Sequence, residues 1–145
     1  MRLMGLDVGQ RNIGIALSDA EERLAYGHGA LRRTKLSADL GAIARLVEAE
    51  AVEAIVVGLP RSLDGTLGQQ AERVKRFGEA LAARVGVPVI YWDERLSTVA
   101  AERAMREAGV SARARREHVD EAAAVLILDG YLAYRRHQAG AGEAE

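Results

Sequence analysis

The sequence predicts a single-domain α/β fold, a five-stranded mixed sheet flanked by helices. Three observations carry this. The opening third reads as strands: apolar and β-compatible residues fill 2–8, 13–18 and 24–33, with turn-forming residues between them. From Ser37 onward the apolar period becomes helical, and short apolar runs alternate with longer amphipathic ones. The chain has 145 residues, a length suited to one domain around one core.

Each element follows in order. Residues 2–8 are a mostly apolar strand, and Gly9-Gln10-Arg11-Asn12 is a turn. Ile13 to Ser18 is a second strand, so residues 2–18 read as a hairpin. Leu24 to Arg33 is a third strand, weakened by Gly27 and Gly29. Ser37 is placed to cap a helix whose Leu40, Ile43, Ala44, Val47 and Ala51 share one face. Ala54 to Gly58 is wholly apolar, as suits a central strand covered on both faces. Beyond the loop Leu59–Gly65, Thr66 and Gln69 have capping-box spacing. The helix they open turns Val74, Phe77, Leu81 and Val85 inward and ends near Gly86. Val87 to Trp92 is the last strand, with Pro88 tolerable at an edge. A helix is expected from Ser97 to about Ala108, a break at Gly109-Val110-Ser111, and a final helix from about Val119 to Arg136. Residues 138–145 read as a frayed tail, which bounds the domain at 1–137. Three sequential strands followed by β-α alternation give three antiparallel strands, then two from the alternation.

Composition narrows the chemistry. There is no cysteine, so any metal must bind oxygen or imidazole. The net charge of −1 excludes a globally basic nucleic-acid binder. Lys35 and Lys75 are the only lysines among 20 basic residues. Arg103, Arg106, Arg113, Arg115 and Arg116 cluster, as a phosphate-contacting patch or as a solvated helix end. Met1-Arg2-Leu3-Met4 runs directly into a strand and does not read as a signal peptide. No apolar run approaches the roughly 20 residues that span a bilayer. The expected setting is the cytoplasm, away from membranes.

Acidic residues stand out at three places. Asp7 lies in an apolar strand, where a charge is costly unless paired or bound to metal. Asp93-Glu94 follows the strand 87–92, and Asp120-Glu121 opens the last helix. Carboxylates at strand ends and a helix start could converge at one sheet edge and hold Mg2+ or Mn2+. Two such ions about 4 Å apart can drive phosphodiester hydrolysis. Asp120 also reads as a helix N-cap, and Asp93-Glu94-Arg95 as an ordinary polar loop. Gly5, Gly9 and Gly14 bracket Asp7 and permit close backbone approach. Arg11, Arg61 and Arg95 fall in loops expected on the acids' edge, where they suit phosphate or plain solvent. His118, two residues before Asp120, could carry a proton or contact a phosphate. His28 reads as structural and His137 as solvated, and Ser18, Ser62 and Ser97 lack the context of a nucleophile elbow.

Taken together, four segments resemble the YqgF family, the pre-16S ribosomal RNA nucleases also called Holliday junction resolvase-like proteins. Gly5-Leu6-Asp7-Val8-Gly9 with Ile13-Gly14-Ile15-Ala16-Leu17-Ser18-Asp19 is similar to its opening motif. Val57-Gly58-Leu59-Pro60 with Leu63-Asp64-Gly65-Thr66 is similar to its second. Asp93-Glu94-Arg95-Leu96-Ser97-Thr98 resembles the third, and Asp120-Glu121 with Ala122 to Leu128 the fourth. The resemblance implies a ribonuclease-H-like fold with metal-bound catalytic acids at Asp7, Glu94 and Asp120. Alternation along an extended segment points only one of Asp93 and Glu94 inward. It further implies action on the 5′ end of precursor 16S rRNA or on DNA four-way junctions, by water attack on a phosphodiester.

Other readings make different demands. A junction resolvase calls for a two-fold dimer, whereas a nuclease for RNA can be a monomer or a homodimer. A sugar-kinase- or actin-like ATPase shares the Asp-x-Gly hairpin, but needs two lobes where this chain has length for one. A non-catalytic nucleic-acid-binding assembly factor would keep the fold without turnover.

Overall fold

The structure, a computed structural model, describes residues 1–60, 68–93 and 112–143; of 112–119 and 140–143 it describes the backbone alone. The elements are β1 (Leu3–Val8), β2 (Asn12–Ser18), β3 (Ala25–Arg32), α1 (Leu36–Ala49), β4 (Ala54–Leu59), α2 (Gln69–Arg84), β5 (Val89–Asp93) and α3 (Ala112–Glu143). They make a five-stranded sheet of order β3-β2-β1-β4-β5. β1, β2 and β3 pair antiparallel, while β1, β4 and β5 run parallel. This is the mixed sheet that the strand order predicts.

Strand alternation divides the core in two. Met4, Leu6 and Val8 face α1 and α2, with Ile13, Ile15, Leu17, Ile55 and Val57 from neighbouring strands. Ile43, Val47, Phe77 and Leu81 of the two helices complete this layer. Each such side chain, fully buried, contributes about 1.5–3 kcal/mol. The opposite face is covered by α3, whose Ala124, Ile127, Leu128 and Leu132 meet Leu3, Ala16, Ala54 and Val56. Trp92 of β5 packs edge-on against Tyr131 of α3, with ring centroids 5.7 Å apart. At the other end of the sheet, Asp129 Oδ1 accepts a hydrogen bond from the Ala25 amide at 3.1 Å, docking α3 on β3.

Several helix ends differ from the sequence reading. α1 begins at Leu36 with Lys35 at the N-cap and no side-chain cap, so Ser37 lies inside the first turn. Asp39 takes over the capping work in reverse: its Oδ1 accepts hydrogen bonds from the Thr34 amide at 3.0 Å and hydroxyl at 3.2 Å. α2 has Gly68 at its N-cap, again without a side-chain bond. Gln69 is therefore its first residue and not the third that a capping box needs; Thr66 lies outside the described residues. α3 starts at Ala112, so Asp120 sits within a helix and the N-cap reading of it is wrong. Ala112 to Glu117 are all good helix formers, which extends the helix backward from the apolar stretch. Forward, α3 continues past residue 137 to Glu143, through most of the segment read as a tail. The helix expected over 97–108 lies outside the described residues. Among the described residues, no helix is long and apolar enough to cross a membrane.

Candidate active site

Asp7 is half-buried in the central strand β1, on the face covered by α3. Its partner across the hairpin is Gly14 of β2. Gly14 has no room for a side chain: a Cβ there would overlap the Asp120 carbonyl and lie 2.9 Å from the Glu121 amide nitrogen. The α3 backbone at Asp120 thus fills the space beside Asp7 that a side chain would otherwise take. The Asp120 backbone therefore rests on the strand beside the one that carries Asp7, on the same face of the sheet.

Asn12 is the next β2 residue on the same face, and its side chain hydrogen-bonds the Asp120 carboxyl. Partial burial raises the pKa of Asp120 above the ordinary carboxylate value, and the Asn12 bond opposes that rise. The turn between β1 and β2 is fixed by its own backbone, with the Gly9 amide donating to the Asn12 carbonyl at 2.9 Å. It is also held from the α1–α2 side by Arg33. Arg33 Nη1 donates to the Gly9 carbonyl at 3.0 Å, and Nε lies 3.6 Å from Asp39 Oδ2. The guanidinium sits 5.3 Å above the Phe77 ring.

On the other side of β1, the parallel register carries the same edge across the sheet. Leu6 pairs with Val57, and Gly58 and Leu59 pair with Trp92 and Asp93. The C-terminal ends of β1, β4 and β5 therefore line one edge, with Asp7 and Asp93 along it. The two acids differ in face. Ile90 and Trp92 pack with α3, whereas Val89 and Tyr91 pack with α1 and α2. Asp93 has the parity of Val89 and Tyr91, which is opposite to that of Asp7.

Of the residues expected at the site, Asp7 lies on β1 opposite Gly14, against which the Asp120 backbone packs, and Arg11 lies in the adjoining turn. Glu94, Arg61 and Arg95 lie outside the described residues. Arg113, Arg115, Arg116 and His118 lie on the described backbone of α3, N-terminal to Asp120; their side chains are not described. His28 is exposed on β3 and His137 on α3. Ser18 is a core residue: its Oγ accepts from the Leu3 amide at 2.8 Å and donates to the Asp19 carbonyl at 3.0 Å. Sequence reasoning passed over Asn12 and Arg33, because both act through contacts set by tertiary register.

The donors that the site offers fit a hard divalent cation. Asp7 and Asp120 present oxygen only, the ligand type that Mg2+ and Mn2+ prefer. Among the described residues, no group of three His, Cys, Asp or Glu side chains is close enough to hold a metal ion. The third acid expected from the sequence, Glu94, is not among them.

The family described as "RuvX: Holliday junction resolvase" matches residues 1–134. A Moorella thermoacetica protein named "Putative pre-16S rRNA nuclease" is 53% identical over 132 residues, covering 91% of this chain and 94% of its own length. A protein of the same name from Heliobacterium modesticaldum is 45% identical over 139 residues, covering 96% of this chain and 93% of its own. Among solved structures, T. thermophilus RuvC in complex with a Holliday junction substrate has a TM-score of 0.61 at 17% identity, covering 94% of this chain and 96% of that one. The fowlpox virus resolvase in complex with Holliday junction DNA has a TM-score of 0.55 at 11% identity, covering 92% and 98%. These likenesses show the fold, which is ribonuclease-H-like.

Proposed function

The chain belongs to the RuvX family, and from that premise we propose that it is a divalent-metal-dependent nuclease that hydrolyses phosphodiester bonds in structured nucleic acid. Its task on this reading is 5′-end processing of pre-16S rRNA in the cytoplasm; the names of its relatives support the pre-16S rRNA nuclease part of it. The observation that carries the reading is the seating of the Asp120 backbone over Gly14, beside Asp7. Two acids far apart in sequence are thereby set on one face, in a strand and a helix that cannot shift independently.

Asp7, Glu94 and Asp120 are the proposed metal ligands, and residues 1–137 the catalytic unit. The face parity of Asp93 favours Glu94 as the ligand of that pair and leaves Asp93 an assisting role. A pair of Mg2+ or Mn2+ ions held by these acids would supply activation of the attacking water and stabilisation of the leaving oxygen. The protein's part is positional: β1 holds Asp7 rigid, and Asn12 fixes the rotamer of Asp120. Arg11, Arg61, Arg95, Arg113, Arg115 and Arg116 are proposed to contact the nucleic-acid backbone. His118 is proposed to assist with a proton or a phosphate.

A second reading rests on the family description, which covers residues 1–134: a DNA four-way junction is the substrate. That reading requires a two-fold dimer able to make paired cuts. The deciding experiment compares a pre-16S rRNA fragment, single-stranded RNA and a DNA four-way junction, with Mg2+ or Mn2+ and with chelator. Sedimentation at the working concentration separates monomer from dimer. Metal-dependent cleavage of the rRNA fragment at its 5′ processing site supports the first reading, and preferential cutting of the junction by a dimer supports the second. No metal-dependent turnover on any of the three overturns both and leaves a non-catalytic assembly factor.

A further inference from the structure

The face that carries Asp7 and Asp120 continues past them onto the edge strand. Asn12 pairs with Arg32 of β3, and directly opposed residues share a face. Asn12 also grips the Asp120 carboxyl. Arg32 therefore stands one strand beyond the residue that fixes a proposed metal ligand. Together with Gln10, Arg11, Asn12 and Arg33, it lines an open cleft of about 450 Å³.

The charge in this cleft is unbalanced. Its lining includes three arginines and no carboxylate. Arg33 is committed elsewhere, to the Gly9 carbonyl and Asp39. Arg11 and Arg32 are exposed, and neither takes part in an ion pair among the described residues. Three other surface arginines are paired, Arg2 with Glu50 at 3.2 Å, Arg23 with Glu21 at 2.9 Å and Arg135 with Glu22 at 3.2 Å; what Arg11 and Arg32 have in addition is a shared cleft. Two guanidinium groups with no ion-pair partner among the described residues, beside an amide-lined turn, make a site for oxyanions spaced along a chain.

We propose that this cleft is a backbone subsite, in which Arg11 and Arg32 each hold a phosphate of the nucleic acid on the β3 side of the cleavage point. The inference rests on the nuclease reading above and adds a direction to it: the bound strand leaves the acids across Asn12 and the β1–β2 turn toward the sheet edge. RNA and DNA share the backbone chemistry involved, and the test separates them.

The test measures binding apart from cleavage. Fluorescence anisotropy in EDTA follows an RNA hairpin with a single-stranded 5′ extension and, separately, a DNA four-way junction, across a salt series. The proteins are wild type, Arg11→Gln/Arg32→Gln, and Arg23→Gln as a control at the far end of the hairpin. The double variant is expected to bind roughly tenfold more weakly at 0.1 M salt, with its salt slope reduced by about 0.7–0.9 per lost phosphate contact. Arg23→Gln is expected to bind like wild type. The arm that shows the loss identifies which backbone the cleft takes. If the folded double variant keeps wild-type affinity and slope for both probes, or if wild type binds neither, the subsite is wrong. The nuclease reading fails separately: wild type that binds through Arg11 and Arg32 yet cuts nothing with metal keeps the subsite and loses the enzyme. A double variant that binds and cuts like wild type, while Asp7→Asn does not cut, does the reverse.

Discussion

The two faces of the sheet are packed by different means. Under α1 and α2, large side chains meet large side chains: Ile13, Ile15, Leu17, Ile55 and Val57 against Ile43, Val47, Phe77 and Leu81. Under α3, the sheet offers Gly5, Gly14, Gly27, Ala16 and Ala54. Missing side chains let the α3 backbone come down onto the strands. At Gly14 that approach sets the Asp120 backbone on the strand beside Asp7; at Gly27 it admits the Glu121 side chain, whose Cδ would lie 2.7 Å from an added Cβ. On the first face a layer of interdigitated side chains can absorb a lost methyl. On the second, the contacts that stabilise the fold are also those that would set the proposed site.

The sharpest way to break this contrast is to change one methyl group in each kind of contact. Gly14→Ala sets a side chain against helix backbone, which cannot give, and is expected to cost about 3 kcal/mol or more. Removing a methyl from the other face by Ile43→Val is expected to cost about 0.5–1.5 kcal/mol. Urea denaturation of both variants checks the ranking, and equal costs would contradict the close-packing account of α3.

Arg33 tests the connection between the faces, since it reaches from Phe77 and Asp39 to the turn beside the site. Arg33→Met keeps the packing on Phe77 but leaves Asp39, only 2% exposed, without its cation. The loss is expected to be about 2 kcal/mol, from a buried carboxylate left without compensation. A chemical melt showing no change would mean that the turn is held by its backbone alone.

Gly5→Ala should have an intermediate to small effect. Its Cβ would lie 2.8 Å from Leu128 Cβ and 3.0 Å from the Ala124 carbonyl, so α3 must shift by a few tenths of an ångström. A cost of about 1–2 kcal/mol follows from overpacking of this kind. If activity falls further than stability does, α3 docking sets the site's geometry as well as its existence.

The smallest effect has the opposite sign. The folded-state pKa of Asp120 is raised, chiefly by desolvation, so folding disfavours its ionised form. The metal-free protein loses this increment of stability as pH rises from the ordinary value of 3.8 through the raised one. Asp120→Asn removes the loss and is expected to raise Tm by roughly 1–3 °C at pH 8 in chelator. The two proteins should converge below pH 3.8, where Asp120 is protonated in both states. A variant less stable than wild type at pH 8 would show that the Asn12 bond outweighs desolvation.

The hairpin and the mixed sheet are legible in the sequence because alternation and apolar runs are local signals. Asp7 stands out as a charge in an apolar strand. The helical context of Asp120 is less legible: Val119-Asp120 imitates a helix start, yet the upstream Ala112–Glu117 segment is itself helix-forming. The cap at Ser37 is a plausible local motif that Asp39 displaces by bonding backward to Thr34. The Asn12–Asp120 bond and the pairing of Arg32 with Asn12 have no sequence signal. They depend on the β2–β3 register and on how α3 docks, both settled by contacts between distant parts of the chain.

The most direct measurement is single-turnover cleavage of a pre-16S rRNA fragment by wild type and Asp7→Asn, in Mg2+ or Mn2+ and in EDTA, with thermal melts of both proteins. Wild type should cut only with metal, and Asp7→Asn should melt like a folded protein while its rate falls by about a thousandfold or more, on the scale expected from losing transition-state stabilisation. An Asp7→Asn protein that cuts at the wild-type rate would contradict the claim that Asp7 and Asp120 form a metal-dependent phosphodiesterase site.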